Sequence, residues 1–261
     1  MKSKRKTNRK AANELISKLQ NSRNNTYFIH YSCQNFDDSK DSLSPRITSI
    51  AILHYQSGQM FSFSIHLSAE QLQIKPEDIE SNLDIIEKDM LCKLNNFISS
   101  HVNNIYWVHW NMKDIYYGFE ALEHRYIVLN QQPMVHIPEE NRFNLSDILS
   151  NKYGNFAKDP RMENLMRLNS KDKGVHRNFL SGEDEATAFQ AKQYRQMHNS
   201  TMCKVRFFRN VLDKAYDNEL RTETNQFRYF VNELYKNPFM QLLSIIGIIG
   251  SVVSLVIQII K

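Results

Sequence analysis

The sequence predicts an α/β fold, a mixed sheet flanked by helices, followed by a helical stalk and a single transmembrane helix. Three observations carry that expectation. Three strand-like stretches follow one another at 26–33, 46–54 and 60–67. Helical and strand patterns then alternate between 76 and 153. Finally, Phe239–Ile260 runs 22 residues without a charged side chain. As a helix it would span about 33 Å, close to the hydrocarbon thickness of a bilayer.

The elements are read in chain order. Residues 1–10 hold six basic groups and no acid, a tail suited to phosphate contact. Residues 11–20 place Leu15, Ile16 and Leu19 on one face of a short helix. Thr26–Cys33 is aromatic and β-branched, Arg46–His54 similarly apolar, and Met60–Leu67 alternates Phe61, Phe63 and Ile65 with Ser62, Ser64 and His66. Period-two alternation marks a half-buried strand, and the short links imply an antiparallel meander. Pro76, Glu77 and Asp78 open a helix that continues to His101, with Ile79, Leu83, Ile86, Met90, Leu94 and Ile98 on one face. Asn104–Trp110 reads as a buried strand, and Met112–Leu129 as a helix. Pro133–Ile137 reads as a further strand, and Ser146–Tyr153 as a helix capped by Asn144 or Ser146. Residues 154–181 are polar and irregular, helix resumes at Gly182–Asp184, and Met202–Lys236 has the helical pattern of a stalk. The expected parts are a basic tail and short helix at 1–25, an α/β domain at 26–200, the stalk at 201–237 and an anchor at 238–261.

Composition narrows the chemistry. The chain has 261 residues, 41% hydrophobic and 23% charged, as a folded domain requires. Seven glycines make a Gly-rich phosphate loop an unfavourable reading. A net charge of +5 suits an anionic partner. Three scattered cysteines, Cys33, Cys92 and Cys203, offer neither a disulfide framework nor a zinc site and fit a reducing compartment. Arg221, Arg228 and Lys236 precede the apolar run and only Lys261 follows it, which places the preceding domain in the cytosol.

Within 26–200, RITSIAILH, VHWNMKDIYYGFEAL and LSGEDEATAFQAKQY resemble motifs of the DEDD-type 3′–5′ exonucleases. That resemblance implies an RNase H-like domain. Its two-metal chemistry needs four carboxylates around magnesium or manganese. The match leaves only Asp114 and one of Glu183, Asp184 or Glu185. His30, Tyr31, Ser32 and Cys33 stand where the first Asp-x-Glu belongs, and Leu180 stands at the general base. The resemblance therefore implies a pseudo-nuclease without a resident metal, with Asp114 and Glu185 as the catalytic pair only if activity survives. Nucleic acid or a nucleotide-like ligand would meet His30, Tyr31, His109, Trp110, Arg161, Arg167, Lys173 and Arg177. Such a domain suits a membrane-tethered sensor or effector, for instance in defence. Two alternatives stand beside it, an active metal-dependent nuclease and an oligomerising or pore-forming membrane scaffold. For the last, Gly247 with Ser251 and Gly250 with Ser254 are small residues four apart within the span from Phe239 to Ile260.

The residues also have plainer readings. Cys33 with His30 and Asp114 makes a Cys–His pair on paper, but a packed strand cysteine is the better account. His30, His54, His66 and His109 lack HxH or HExxH spacing and read as satisfied core or groove histidines rather than ligands. Tyr106, Trp107, Trp110, Tyr116 and Tyr117 read first as core filling, and as a base-stacking platform only second. Arg161, Arg167, Lys171, Lys173, His176 and Arg177 form either a solvated loop or a phosphate-contacting lip.

Overall fold

A computed structural model describes residues 2–34, 45–101, 104–113, 115–172 and 174–225. Helix α1 (Lys2–Asn21) leads into strand β1 (Thr26–Cys33), whose eight residues are all buried. β2 (Ile47–His54) and β3 (Met60–Ser64) add antiparallel neighbours on one side of β1. α2 (Ile65–Gln71) and α3 (Leu83–Ser99) follow, then β4 (Tyr106–His109), which lies parallel to β1 on its other side. After α4 (Phe119–Asn130), β5 (Arg142–Asn144) adds in parallel to β4. The sheet order is therefore β3-β2-β1-β4-β5. Helices α5 (Leu145–Tyr153), α6 (Arg161–Asn169), α7 (Gly182–Gln190) and α8 (Tyr194–Tyr216) complete the described chain.

Side-chain alternation divides the core into two layers. Tyr27, Ile29 and Tyr31 of β1 point to one face, where Met90, Leu94 and Ile98 of α3 and Leu122 and Tyr126 of α4 cover them. Phe28, Leu53 and Val108 point to the other, against Ile16 and Leu19 of α1, Leu149 of α5 and Phe208 and Leu212 of α8. Burial on both sides encloses all eight residues of β1, including the polar Thr26, His30 and Ser32.

Several boundaries differ from the sequence expectation, each for a local reason. β3 stops at Ser64 because Ile65 already begins α2, and the Ser64 hydroxyl turns to His66 Nδ1 at 2.9 Å. The helix expected from Pro76 begins as two 3-10 turns and becomes α-helical at Leu83. The helix expected from Met112 starts only at Phe119, after Asn111 takes a left-handed backbone. The stretch 133–137 is not a strand. The amide of Val135 pairs instead with Asn95 Oδ1 at 2.8 Å. Polar residues 161–169, read as irregular, form α6. Asn144 does cap α5, its side chain accepting the Ser146 amide at 3.2 Å.

The largest correction concerns the stalk. α8 crosses β1, β2 and β3. Its Val205, Phe208, Val211, Leu212 and Ala215 are fully buried there. A helix carrying that much buried surface is part of the core. The membrane expectation is corrected on a second finding. Among the described residues no helix is long and apolar enough to cross a membrane. The expected span, with Phe239, Gly247, Gly250, Ser254 and Ile260, lies outside the described residues. The tail-anchored, single-pass reading therefore has no structural support, and neither do a cytosolic placement inferred from it, membrane contact, or assembly through that span. The supported class is α/β, a five-stranded mixed sheet flanked by helices.

Candidate functional site

The α8 face of the sheet grades from apolar to polar. Phe28 pairs with Leu53 and Val108 at one level, while Ser32, Ser49 and Ser64 line up across β1, β2 and β3 at another. All three serines are buried. Side chains brought by the helices satisfy them, as buried polar groups require. Ser32 meets the Thr201 hydroxyl at 2.8 Å, Ser49 meets His198 Nδ1 at 2.7 Å, and Ser64 meets His66. The rings of His66 and His198 lie 5.2 Å apart, edge to face.

His30, inside β1, and His109, the last residue of β4, sit beside this row. Tyr117 donates its hydroxyl proton to the Tyr31 carbonyl at 2.9 Å. Its oxygen therefore accepts from His30 Nδ1 at 3.1 Å, which assigns the His30 tautomer. The Tyr31 hydroxyl donates to the Gly118 carbonyl at 3.2 Å. Burial holds His30 well below the ordinary histidine pKa, with Lys204 and His109 adding to the effect. His109 Nδ1 accepts the Met112 amide at 3.1 Å, and burial with Arg142 nearby lowers its pKa to about 3. Both rings are neutral members of the core at neutral pH.

Glu185 is also buried, 1% exposed, but it is not open to a metal. Its Oε1 accepts from Lys204 Nζ at 2.6 Å and from the Ser200 hydroxyl at 2.7 Å. The expected carboxylate is thus already neutralised by a lysine. The fully buried Cys33 thiol is pushed well above its usual pKa by burial, then by Glu185 and Glu87, which leaves no thiolate for a Cys–His pair. Asp114 lies outside the described residues. Among the described residues, no three His, Cys, Asp or Glu side chains are grouped to hold a metal ion. Trp110 stacks on Phe208 at 5.8 Å and meets the edge of Phe156, so it fills core.

The neutral histidines predict a pH dependence. Burial lowers the His198 pKa to about 4, against 6.5 for an ordinary histidine. The unfolded chain then binds more protons than the folded one between those values, so stability falls as pH drops below about 6.5. Each such histidine contributes a slope approaching about 1.4 kcal/mol per pH unit. Replacing His198 with Gln should keep a partner for Ser49 and reduce the acid-side slope by about that amount. Denaturant unfolding of both proteins between pH 6 and 4.5 measures it, and equal slopes would contradict the assignment.

The basic residues separate into paired and unpaired groups. Arg161 lies 3.4 Å from Asp159 and over the Phe156 ring. Arg167 pairs with Glu163 one turn back at 2.7 Å. Lys173 lies outside the described residues. Arg177 instead lines a cavity of about 550 Å³ between the 166–177 stretch and α8. Arg206, Asn210 and Lys214 of α8 line its other wall. None of those three was singled out from the sequence, although their four-residue spacing places them along one side of the helix.

The lining is net cationic, with Arg177, Arg206 and Lys214 set against one carboxylate, Asp172, which stays ionised. The acid in its wall, Asp172, accepts the Gly174 amide at 3.1 Å. That bond, with the Ser170 hydroxyl, keeps its carboxyl below the usual range. Lys214 Nζ lies 3.3 Å from the Asn169 carbonyl, and burial together with Arg221 lowers its pKa. Among the described residues, no carboxylate pairs with Arg177 or Arg206. His176 Nδ1 accepts the Asn178 amide at 3.2 Å, which leaves Nε2 to carry the ring proton as a donor. A second cavity, of about 740 Å³ between α2 and the start of α8, is less cationic because its Lys192 is taken by Glu80 at 2.7 Å.

Comparison with known protein families, characterised proteins and solved structures finds no match. That finding and the occupied Glu185 overturn the exonuclease resemblance. Catalysis by Asp114 and Glu185, a pseudo-nuclease role in defence and nucleic-acid binding through the His30 end of the sheet are left without support. The physical reason is that the polar groups at that end are buried and mutually satisfied.

Proposed function

We propose that this chain is a binding protein for a small anionic molecule, held in the cavity between residues 166–177 and α8. The carrying observation is the pair of guanidiniums, Arg177 and Arg206, lining one cavity without a carboxylate partner among the described residues. Like charges gathered in a concave site repel, and an anion relieves that repulsion. A guanidinium fork also matches phosphate or carboxylate oxygens through paired donors. Asn210 and the His176 Nε2 proton add neutral donors to the same cavity.

Titration calorimetry with inorganic phosphate at low ionic strength tests the proposal. Saturable binding is expected, weakening as salt rises. Arg177→Ala and Arg206→Ala should each lower affinity about tenfold or more, in keeping with the loss of a charge-assisted hydrogen bond of about 1.5–3 kcal/mol. Arg206→Lys should retain part of it, because a point charge replaces a fork. Absence of binding, or binding that ignores both alanine variants, overturns the proposal.

A further inference from the structure

We infer that the ligand of this cavity is an elongate dianion, with one anionic group at each end of a partly apolar spacer. The inference rests on the anion-binding reading and adds the spacing of the charges. Arg206, Asn210 and Lys214 stand at positions i, i+4 and i+8 of α8, so the outer two are separated by about 12 Å along the helix axis.

The opposite wall fixes which groups share an end. Asn169 lies at Lys214, through the contact of its carbonyl with Nζ. Phe179 lies at Lys204, whose ammonium sits 5.5 Å from its ring centre, and the Leu180 amide donates to Ser200 at 3.0 Å. The described residues of 169–180 therefore run antiparallel to α8. Arg177 consequently belongs to the Arg206 end and Asn169 to the Lys214 end.

The cavity thus has two guanidiniums at one end, the Lys214 ammonium with the single carboxylate of Asp172 toward the other, and the Asn210 amide between them. Met166, Cys203 and Phe207 also line it and supply apolar surface for a spacer. Two guanidiniums suit a phosphate or phosphonate head, and an ammonium suits a second phosphate or a carboxylate. A molecule with a single head would engage only one end. Joining two heads through a spacer of matching length makes the second contact intramolecular and raises affinity without any new group on the protein.

Calorimetry with a matched set of probes tests this. Hexane-1,6-bisphosphonate should bind at least about tenfold more tightly than hexylphosphonate. Methylenebisphosphonate, whose heads are too close to reach both ends, should show no such gain. Replacing one head of the long probe by a carboxylate distinguishes a phosphate-ended from a carboxylate-ended ligand. Lys214→Gln keeps a donor for Asn169 and should abolish the gain of the long probe over hexylphosphonate. Lys214→Arg, which keeps the charge, should preserve the gain and controls for folding. Equal affinity for the long bisphosphonate and hexylphosphonate overturns the two-ended ligand but leaves an anion site. Failure of every probe and of inorganic phosphate removes the anion site itself.

Discussion

Lys204→Met should destabilise the fold by about 3–5 kcal/mol, the usual cost of leaving a buried charge without its partner. Lys204 and Glu185 are 6% and 1% exposed at their side chains and 2.6 Å apart. Removing the ammonium leaves a carboxylate under α8 with one hydroxyl, from Ser200, to solvate it. A second substitution, Glu185→Gln, removes the stranded charge and keeps an oxygen for Ser200. The double variant should therefore recover most of the loss. Guanidinium unfolding of the wild type, both single variants and the double variant yields the coupling energy directly. A loss below about 1 kcal/mol for Lys204→Met would show that the pair is not buried as described. The outcome also bears on chemistry. A carboxylate kept for a metal sits in a site that tolerates its neutralisation in the absence of metal. A carboxylate kept for a buried lysine does not.

That pair shows where the sequence misleads. Glu185 fell at a motif position, and nothing within the motif announced that Lys204, a further 19 residues along the chain, would neutralise it. The pairing comes from the turn at residues 191–193, where Lys192 takes a left-handed backbone and α7 gives way to α8. The serines mislead in the same way. Ser62 and Ser64 alternate with Phe61 and Phe63 as a solvent-facing row would, yet Ser64 is buried. Period two states that β3 has two faces, not what covers each one. What covers them is a helix carrying His198 and Thr201, and no local pattern reveals that complementarity.

Other features were plain because their causes are local. β1 reads as a strand because it is aromatic and β-branched, β4 because it is apolar on both faces, and the α5 cap narrows to Asn144 or Ser146 because each offers a side-chain oxygen beside an apolar helical run. β5 escaped notice because a three-residue strand carries too little pattern to outweigh the more apolar 133–137 stretch. Of the candidate site, Arg177 stood out by charge. Arg206 and Lys214 did not, because cations on an amphipathic helix usually mark only its solvated face.

The role of α8 is tested by Phe208→Ala, which should cost about 3–5 kcal/mol, the range for truncating a buried phenylalanine. Phe208 is fully buried, stacks on Trp110 at 5.8 Å and meets the edge of His30 at 5.6 Å. Its removal opens a void between helix and sheet, at the point where the apolar half of the sheet face meets the polar half. β1 lies beneath it and is paired with β2 and β4 on its two sides, so little local collapse can refill the space. Phe208→Leu keeps most of the volume and should lose much less. A stalk gives the opposite expectation, because a phenylalanine on an independent helix could be truncated without moving the unfolding midpoint of the domain. Denaturant unfolding followed by Trp107 and Trp110 fluorescence reads the domain itself, since both tryptophans lie in the sheet region. An alanine variant that unfolds within about 0.5 kcal/mol of the wild type would remove α8 from the core. It would take with it the wall on which Arg206, Asn210 and Lys214 stand.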